Sequence, residues 1–144
     1  MSITTVRRLL QIKGGDVWSI TPQATVFEAL RLMADKDVGA LLVMVDDKLV
    51  GIISERDYAR KVILQGKASK DTLVKDIMTS VLFTIHPDQT IEECMELMTN
   101  RRIRHVPVVL DDQILGVISI GDVVKDIIYQ QRQTIKSLEK YVTG

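Results

Sequence analysis

Two pairs of side chains have the types and spacing to bind a small polar ligand. Serine and aspartate stand three residues apart in "SERD" (Ser54 to Asp57) and again in "SIGD" (Ser119 to Asp122). A carboxylate in the first turn of a helix could accept two hydrogen bonds from a ribose diol, and the N–H groups there suit a phosphate. The same pattern is also an ordinary helix start with serine as the N-cap, so both interpretations stay open.

Both pairs belong to a tandem duplication. A constant offset of 65 residues places Pro22 over Pro87 and Ser54 over Ser119 without a gap, aligning "SITPQATVFEALRLM" with "TIHPDQTIEECMELM" and "VGIISERD" with "LGVISIGD". Each unit is too small to be very stable alone, which predicts that each copy buries its apolar face against the other.

Each copy predicts the order strand, helix, strand, strand, helix. The β-rich runs "VWSI" and "VLFTI" each lead to a proline, and Thr-x-x-Glu then opens a helix of apolar period 3.6. Two further β-rich runs flank an Asp-Asp pair, which is typical of a hairpin turn. A second helix begins after the serine.

Hairpin geometry predicts which residues face the serines. If Asp46 and Asp47 form a two-residue turn, Gly39 stands opposite Ser54, and the matching count places Arg104 opposite Ser119. A guanidinium there could donate bidentate hydrogen bonds to phosphate oxygens. Arg104 could instead reach the site of the other copy.

Composition excludes several function classes. The chain has 144 residues, 46% of them hydrophobic, with 19 basic and 19 acidic side chains, so its neutral formal charge predicts neither nucleic-acid nor membrane binding. The longest apolar run is far short of the roughly 20 residues that span a bilayer, and the first residues lack a signal-peptide core, which favours a cytoplasmic location. The single cysteine, Cys94, is expected to be buried.

The pattern "RIRHVPVV-DD-ILGVIS-GD", with "VGALLVM-DD-LVGIISERD" in the first copy, resembles a tandem pair of CBS domains, named after cystathionine β-synthase and often called a Bateman module. The resemblance implies an α/β fold of the α+β type, with repeats at 16–66 and 75–130 packed with pseudo-two-fold symmetry. An N-terminal helical segment (1–15) and a C-terminal helical tail (131–144) would flank them.

The resemblance also implies function. Similar modules sense AMP, ADP, ATP, NAD or S-adenosylmethionine and regulate a separate protein, without catalysis or a catalytic cofactor, and isolated pairs commonly form homodimers. A ligand-free association module is the alternative. An enzyme using His86 or His105 is a weaker hypothesis, because neither histidine has a motif partner for triad or metal chemistry.

The resemblance further implies two ligand clefts, each of which combines residues of both repeats. The cleft around Asp122 is predicted to contain Gly15, Ile20, Val38, Gly39, Ala40, Arg104, Ser119 and Asp122. The cleft around Asp57 is predicted to contain Ser54, Arg56, Asp57, Ser80, Ile85, Ile103, His105 and Pro107. His105 could contact a phosphate through its ring or adenine through its backbone, and Arg56 could replace the cation that the first copy lacks or be an exposed helix residue.

Overall fold

The computed structural model describes residues 4–80 and 82–143. In chain order its elements are α1 (Val6–Lys13), β1 (Ser19–Ile20), α2 (Val26–Lys36), β2 (Ala40–Val45), β3 (Lys48–Ser54), α3 (Glu55–Tyr58), a π-helical segment (Ala59–Ile63), α4 (Val74–Ile77), α5 (Ile91–Arg101), β4 (His105–Leu110), β5 (Gln113–Ser119) and α6 (Ile120–Thr143). They form two compact units: unit 1 is Met1–Asp16 with Phe83–Gly144, and unit 2 is Val17–Leu82.

Unit 2 contains the first repeat and α4. Strand β1 pairs in parallel with β2, which pairs antiparallel with β3. The Thr25 hydroxyl caps α2 by accepting from the Glu28 N–H, and Asp37 ends the helix in the left-handed conformation. The core of this unit comprises Val26, Ala29, Met33, Leu41, Val43, Ile53, Val62, Val74 and Ile77.

Unit 1 contains α1 and the second repeat from Phe83 onward. Strands β4 and β5 form an antiparallel hairpin, and the strand predicted at "VLFTI" contributes a parallel bridge between Ile85 and Val108. Val81 of that run lies outside the described residues. The helix after the serine and the predicted tail form one continuous helix, α6. The core of this unit comprises Val6, Leu9, Leu10, Ile85, Ile91, Cys94, Met98, Val106, Val108, Ile118 and Val123.

The predicted hairpin register is correct at the turn and wrong at the serines. Val45 pairs with Lys48 as expected, but a bulge between Val43 and Met44 leaves Val50 as an extra residue on β3 and shifts every pair farther from the turn by one. Ala40, not Gly39, therefore faces Ser54. The same bulge in the second hairpin places His105, not Arg104, opposite Ser119.

The glycine of each hairpin allows a helical segment to approach closely. A Cβ atom on Gly51 would lie 2.7 Å from the Met78 sulfur, just after α4, and one on Gly116 would lie 2.7 Å from Leu10 of α1. Helices α1 and α4 thus hold equivalent positions on the two hairpins. Unit 1 takes its helix from the segment before β1, and unit 2 takes its helix from residues that the predicted second repeat (75–130) largely includes.

Candidate functional site

Both serine–aspartate pairs lie where a strand passes directly into a helix. The Ser54 hydroxyl accepts from the Asp57 N–H at 3.2 Å, and the Asp57 carboxylate accepts from the Ser54 N–H at 3.0 Å. In unit 1 the Ser119 hydroxyl accepts from the Asp122 N–H at 3.1 Å, and Asp122 accepts from the Ser119 N–H at 2.8 Å. The capping interpretation is therefore confirmed in both copies.

Capping leaves each carboxylate partly exposed beside a lysine. In unit 2, Lys61 Nζ lies 3.2 Å from Asp57 Oδ1, and the Thr79 hydroxyl donates to the same oxygen at 3.5 Å. In unit 1, Lys13 Nζ lies 2.5 Å from Asp122 Oδ2 and donates to the Val117 carbonyl oxygen at 2.7 Å. Within residues 4–80 and 82–143, Asp122 Oδ1 has no hydrogen-bond partner.

Lys13 is held in place by the rest of its helix. Val6, Leu9 and Leu10 are buried in the core of unit 1. The Thr5 hydroxyl caps the start of α1, and the Val6 N–H donates to the Gln89 carbonyl at 2.8 Å. Because one face of α1 is fixed in the core, the lysine at its end is directed to the Ser119–Asp122 pair.

The charges at this pair shift the titration of two groups. Burial acts to raise the pKa of Asp122, but hydrogen bonds from Lys13 and Ser119, with the Lys13 charge, outweigh it and leave that pKa below its usual value. Burial lowers the pKa of His105, helped by Lys13 and Arg104 and opposed by Asp122. At neutral pH the site therefore contains an ionised Asp122 and a neutral His105.

Three residues that contact the aspartates, Lys13, Lys61 and Thr79, were not predicted from the sequence. Lys61 has a local signal, because Asp at position i and Lys at i+4 share one helix face. Lys13 is separated from Asp122 by 109 positions, and no local pattern connects them. The 65-residue offset does not predict Lys13 either, since the residue that matches Lys61 in the second copy is Asp126 and not a lysine.

Six of the predicted site residues lie in unit 1 besides Ser119 and Asp122. Gly15 approaches β5, since a Cβ there would be 3.2 Å from the Leu115 carbonyl oxygen. Arg104 has an exposed side chain, and its carbonyl accepts from the Ile120 N–H at 2.8 Å. His105 is half-buried beside Ser119, Ile103 is partly buried, and Ile85 and Pro107 are buried. The Ile85 side chain belongs to the core, and its backbone N–H and carbonyl are hydrogen-bonded to Pro107 and Val109 of β4.

The other predicted residues lie in unit 2 with Ser54 and Asp57. Val38 and Gly39 line a groove of about 590 Å³ between α2 and α3. Ile20 and Ala40 are partly buried, the latter opposite Ser54. Arg56 and Ser80 are exposed, and Ser80 follows the Thr79 that contacts Asp57. Each predicted cleft draws on both units, and the two clefts stay predictions.

The arrangement suits hydrogen-bonded recognition of a polyol with a nearby anion. Each aspartate is held in position by its own helix start, and a ligand that binds both oxygens must displace the neighbouring lysine. Lys13 and Lys61 supply cations next to those oxygens.

Among the described residues, no helix is both long and apolar enough to cross a bilayer.

Comparison with known proteins identifies the repeats. The CBS domain family profile matches residues 6–63 and 74–129. The "CBS domain-containing protein CBSX3, mitochondrial" of Arabidopsis thaliana is 40% identical over 151 aligned positions, covering 98% of this chain and 73% of that protein. The crystal structure of the CBS-domain protein NE2398 is 50% identical with a TM-score of 0.84, covering 88% of this chain and 99% of that one.

A further solved structure contains ligands. The CBS domain pair of protein MJ0100, in complex with 5′-methylthioadenosine and S-adenosyl-L-methionine, is 25% identical with a TM-score of 0.80. The alignment covers 90% of this chain and 99% of that chain. Both ligands named for that protein contain an adenosyl group.

Proposed function

Because the chain belongs to the CBS-domain family, whose tandem pairs are regulatory modules, we propose that it binds an adenosyl nucleotide and thereby regulates a separate protein. The ligand class is AMP, ADP, ATP or NAD. The observation that carries the proposal is the pair of carboxylates, Asp57 and Asp122, each fixed at a helix start with acceptor oxygens facing a cation. The adenosyl ligands of the MJ0100 pair support it.

The ribose diol is the group that suits these carboxylates. Two vicinal hydroxyls donate to the two oxygens of one carboxylate, and Asp122 Oδ1 already has no partner among the described residues. Loss of one hydroxyl leaves an acceptor unpaired, which costs roughly 1–3 kcal/mol. A 2′-deoxy analogue is therefore expected to bind much more weakly than the ribonucleotide.

The cation at the Asp122 site is proposed to be Lys13. The sequence favoured Arg104, but its side chain is exposed and it does not stand opposite Ser119. Lys13 contacts Asp122 directly. When a ribose occupies the carboxylate, the displaced ammonium lies within reach of the 5′ phosphate and can neutralise it. Lys61 can do the same at Asp57, but both oxygens of Asp57 already have partners whereas Asp122 Oδ1 has none among the described residues, so we expect the Asp122 site to bind the ligand first.

One observation favours a second function. Both aspartates already have capping and lysine partners, so in a ligand-free module each carboxylate would still have its charge paired. In that case the serine–aspartate pairs only cap their helices, and the chain acts as an association module.

Titration calorimetry separates the two functions. AMP, ATP, NAD and S-adenosylmethionine are titrated into the wild-type protein and into Asp57→Asn and Asp122→Asn, which retain a capping oxygen but lose the charge. Glu28→Gln and Glu93→Gln are matched controls, because these acids also occupy the third position after a cap residue. The proposal predicts that the aspartate variants lose binding and the controls keep it. Equal binding by all variants would favour the association module.

We also propose a homodimer in the cytoplasm. Exposed apolar side chains on α6, among them Ile135 at 54% and Leu138 at 60%, support self-association. Light scattering at tens of micromolar tests the dimer, since a mass of 16.2 kDa would show a monomer. Fractionation of the source cells tests the compartment, and recovery in an organelle would contradict it.

A further inference from the structure

Helix α6 presents a regular apolar face to solvent along most of its length, from Val124 to Val142. The exposed fraction rises along the helix, from 45% at Val124 and 43% at Ile128 to 54% at Ile135, 60% at Leu138 and 87% at Val142. With Gln131, these residues recur at alternating intervals of four and three positions, and we call them the α6 seam. This spacing is that of two helices packed along a common line, not of a helix lying on a globular core.

We infer that the α6 seam packs antiparallel against the α6 seam of a second copy of this chain. In that orientation one two-fold axis near Gln133 generates every contact. Val124 meets Val142 of the second copy, Ile128 meets Leu138, and Gln131 meets Ile135. Each exposed apolar residue of the seam thereby gains a partner, and one interface contains both copies of each contact.

Residues beside the seam agree with the antiparallel orientation. On one flank the same axis brings Lys125 toward Glu139 of the second copy, twice by symmetry. On the other flank it brings Ile127 toward Tyr141, whose side chain is 90% exposed. On the flank that contains Lys125 and Glu139, Arg132 lies next to Arg132 of the second copy, and both long side chains can extend into solvent. A parallel pair would instead align Gln131 with itself and separate Lys125 from Glu139.

A groove beside α6 provides space for the end of the second helix. It has a volume of about 410 Å³, with Thr4 and Glu92 on one wall and Ile127, Gln131 and Ile135 on the other. In the antiparallel register the segment 138–142 of the second copy lies along residues 124–128, and its Tyr141 lies next to Ile127 of the groove wall. The groove therefore suits Tyr141, the largest side chain of that segment.

This inference rests on the homodimer proposed above, and substitution at the seam tests it separately. Leu138→Asp places a charge in the seam at an exposed position, so the fold is expected to survive, which circular dichroism checks. Leu64→Asp is the control, because Leu64 is 76% exposed in unit 2. We expect Leu138→Asp to raise the dimer dissociation constant at least 100-fold and Leu64→Asp to leave it unchanged. A monomeric wild type overturns the homodimer and the seam, whereas a Leu138→Asp dimer of undiminished affinity overturns the seam alone.

Cross-linking tests the orientation. Thr134 lies next to the proposed axis, whereas the two Leu138 residues of an antiparallel pair are about 15 Å apart along the helix direction. A short bis-maleimide should therefore link Thr134→Cys into a covalent dimer and leave Leu138→Cys monomeric. The native thiol, Cys94, is buried and should not react. Cross-linking of Leu138→Cys without Thr134→Cys would show a parallel pair and overturn the inference.

Discussion

Replacing Lys13 by methionine should change the affinities for adenosine and AMP in opposite directions. Methionine keeps most of the aliphatic length and removes the ammonium that contacts Asp122 Oδ2 at 2.5 Å. The side chains of Lys13 and Asp122 are 32% and 18% exposed, so we take the strength of the pair as about 1 kcal/mol. A ribose that binds both carboxylate oxygens must displace this contact.

When a ribose displaces the Lys13–Asp122 contact, a phosphate on the same ligand can provide Lys13 with a new contact. A charge-assisted contact between Lys13 and a phosphate contributes roughly 1.5–3 kcal/mol. For AMP the net loss in Lys13→Met is therefore about 0.5–2 kcal/mol, a decrease in affinity of roughly 2- to 30-fold. Adenosine has no phosphate, so the variant avoids the displacement cost and binds it about fivefold more tightly.

Calorimetry in an Asp57→Asn background isolates the Asp122 site for this comparison. Arg7→Met is the matched control, because the Arg7–Asp88 pair lies on the surface of the same unit, with side chains 46% and 67% exposed. It should leave both affinities unchanged. If Lys13→Met changed the AMP and adenosine affinities by the same factor, or neither, the proposed role of Lys13 would be refuted.

Three further predictions concern the fold. Burial raises the pKa of Asp126, so as pH falls the folded state takes up a proton before the unfolded state does, and wild type gains stability relative to Asp126→Asn. At pH 7 the variant should melt about 2–4 °C higher than wild type. A difference in melting temperature that does not shrink toward pH 4 would contradict this. Gly51→Ala should lower the unfolding free energy in urea by about 1–3 kcal/mol, because its Cβ would meet the Met78 sulfur at 2.7 Å, and adding Met78→Ala should restore part of the loss. Burial raises the pKa of Cys94 to about 11, so a thiol reagent should react at least about 100-fold more slowly in the native protein than in urea, and equal rates would show that the thiol is accessible.

Local patterns predicted most of the elements. The offset of 65 residues located equivalent helix starts at Thr25 and Thr90, and both threonines cap their helices. The Asp-Asp turns were also predictable, since Asp46, Asp111 and Asp112 adopt positive φ angles that aspartate tolerates. The order of strands and helices follows from these signals.

The residues around the aspartates were harder to predict, for two physical reasons. The turn fixes strand register only as far as the first irregularity, and the bulge that leaves Val50 unpaired moves the Ser54 partner from Gly39 to Ala40. Contacts distant in sequence have no local signal. The amphipathic pattern of α1 predicts a helix with a buried face, but not that Lys13 reaches Asp122.

A crystal structure of the protein with AMP tests the central claim most directly. We predict that the ribose hydroxyls lie within hydrogen-bond distance of Asp122, with occupancy at Asp57 as the concentration rises, and that Lys13 Nζ turns from the carboxylate to the phosphate. At limiting AMP, density should appear first at Asp122. AMP bound away from both aspartates, or both carboxylates unchanged from their capped and lysine-paired state at saturating AMP, would contradict the account.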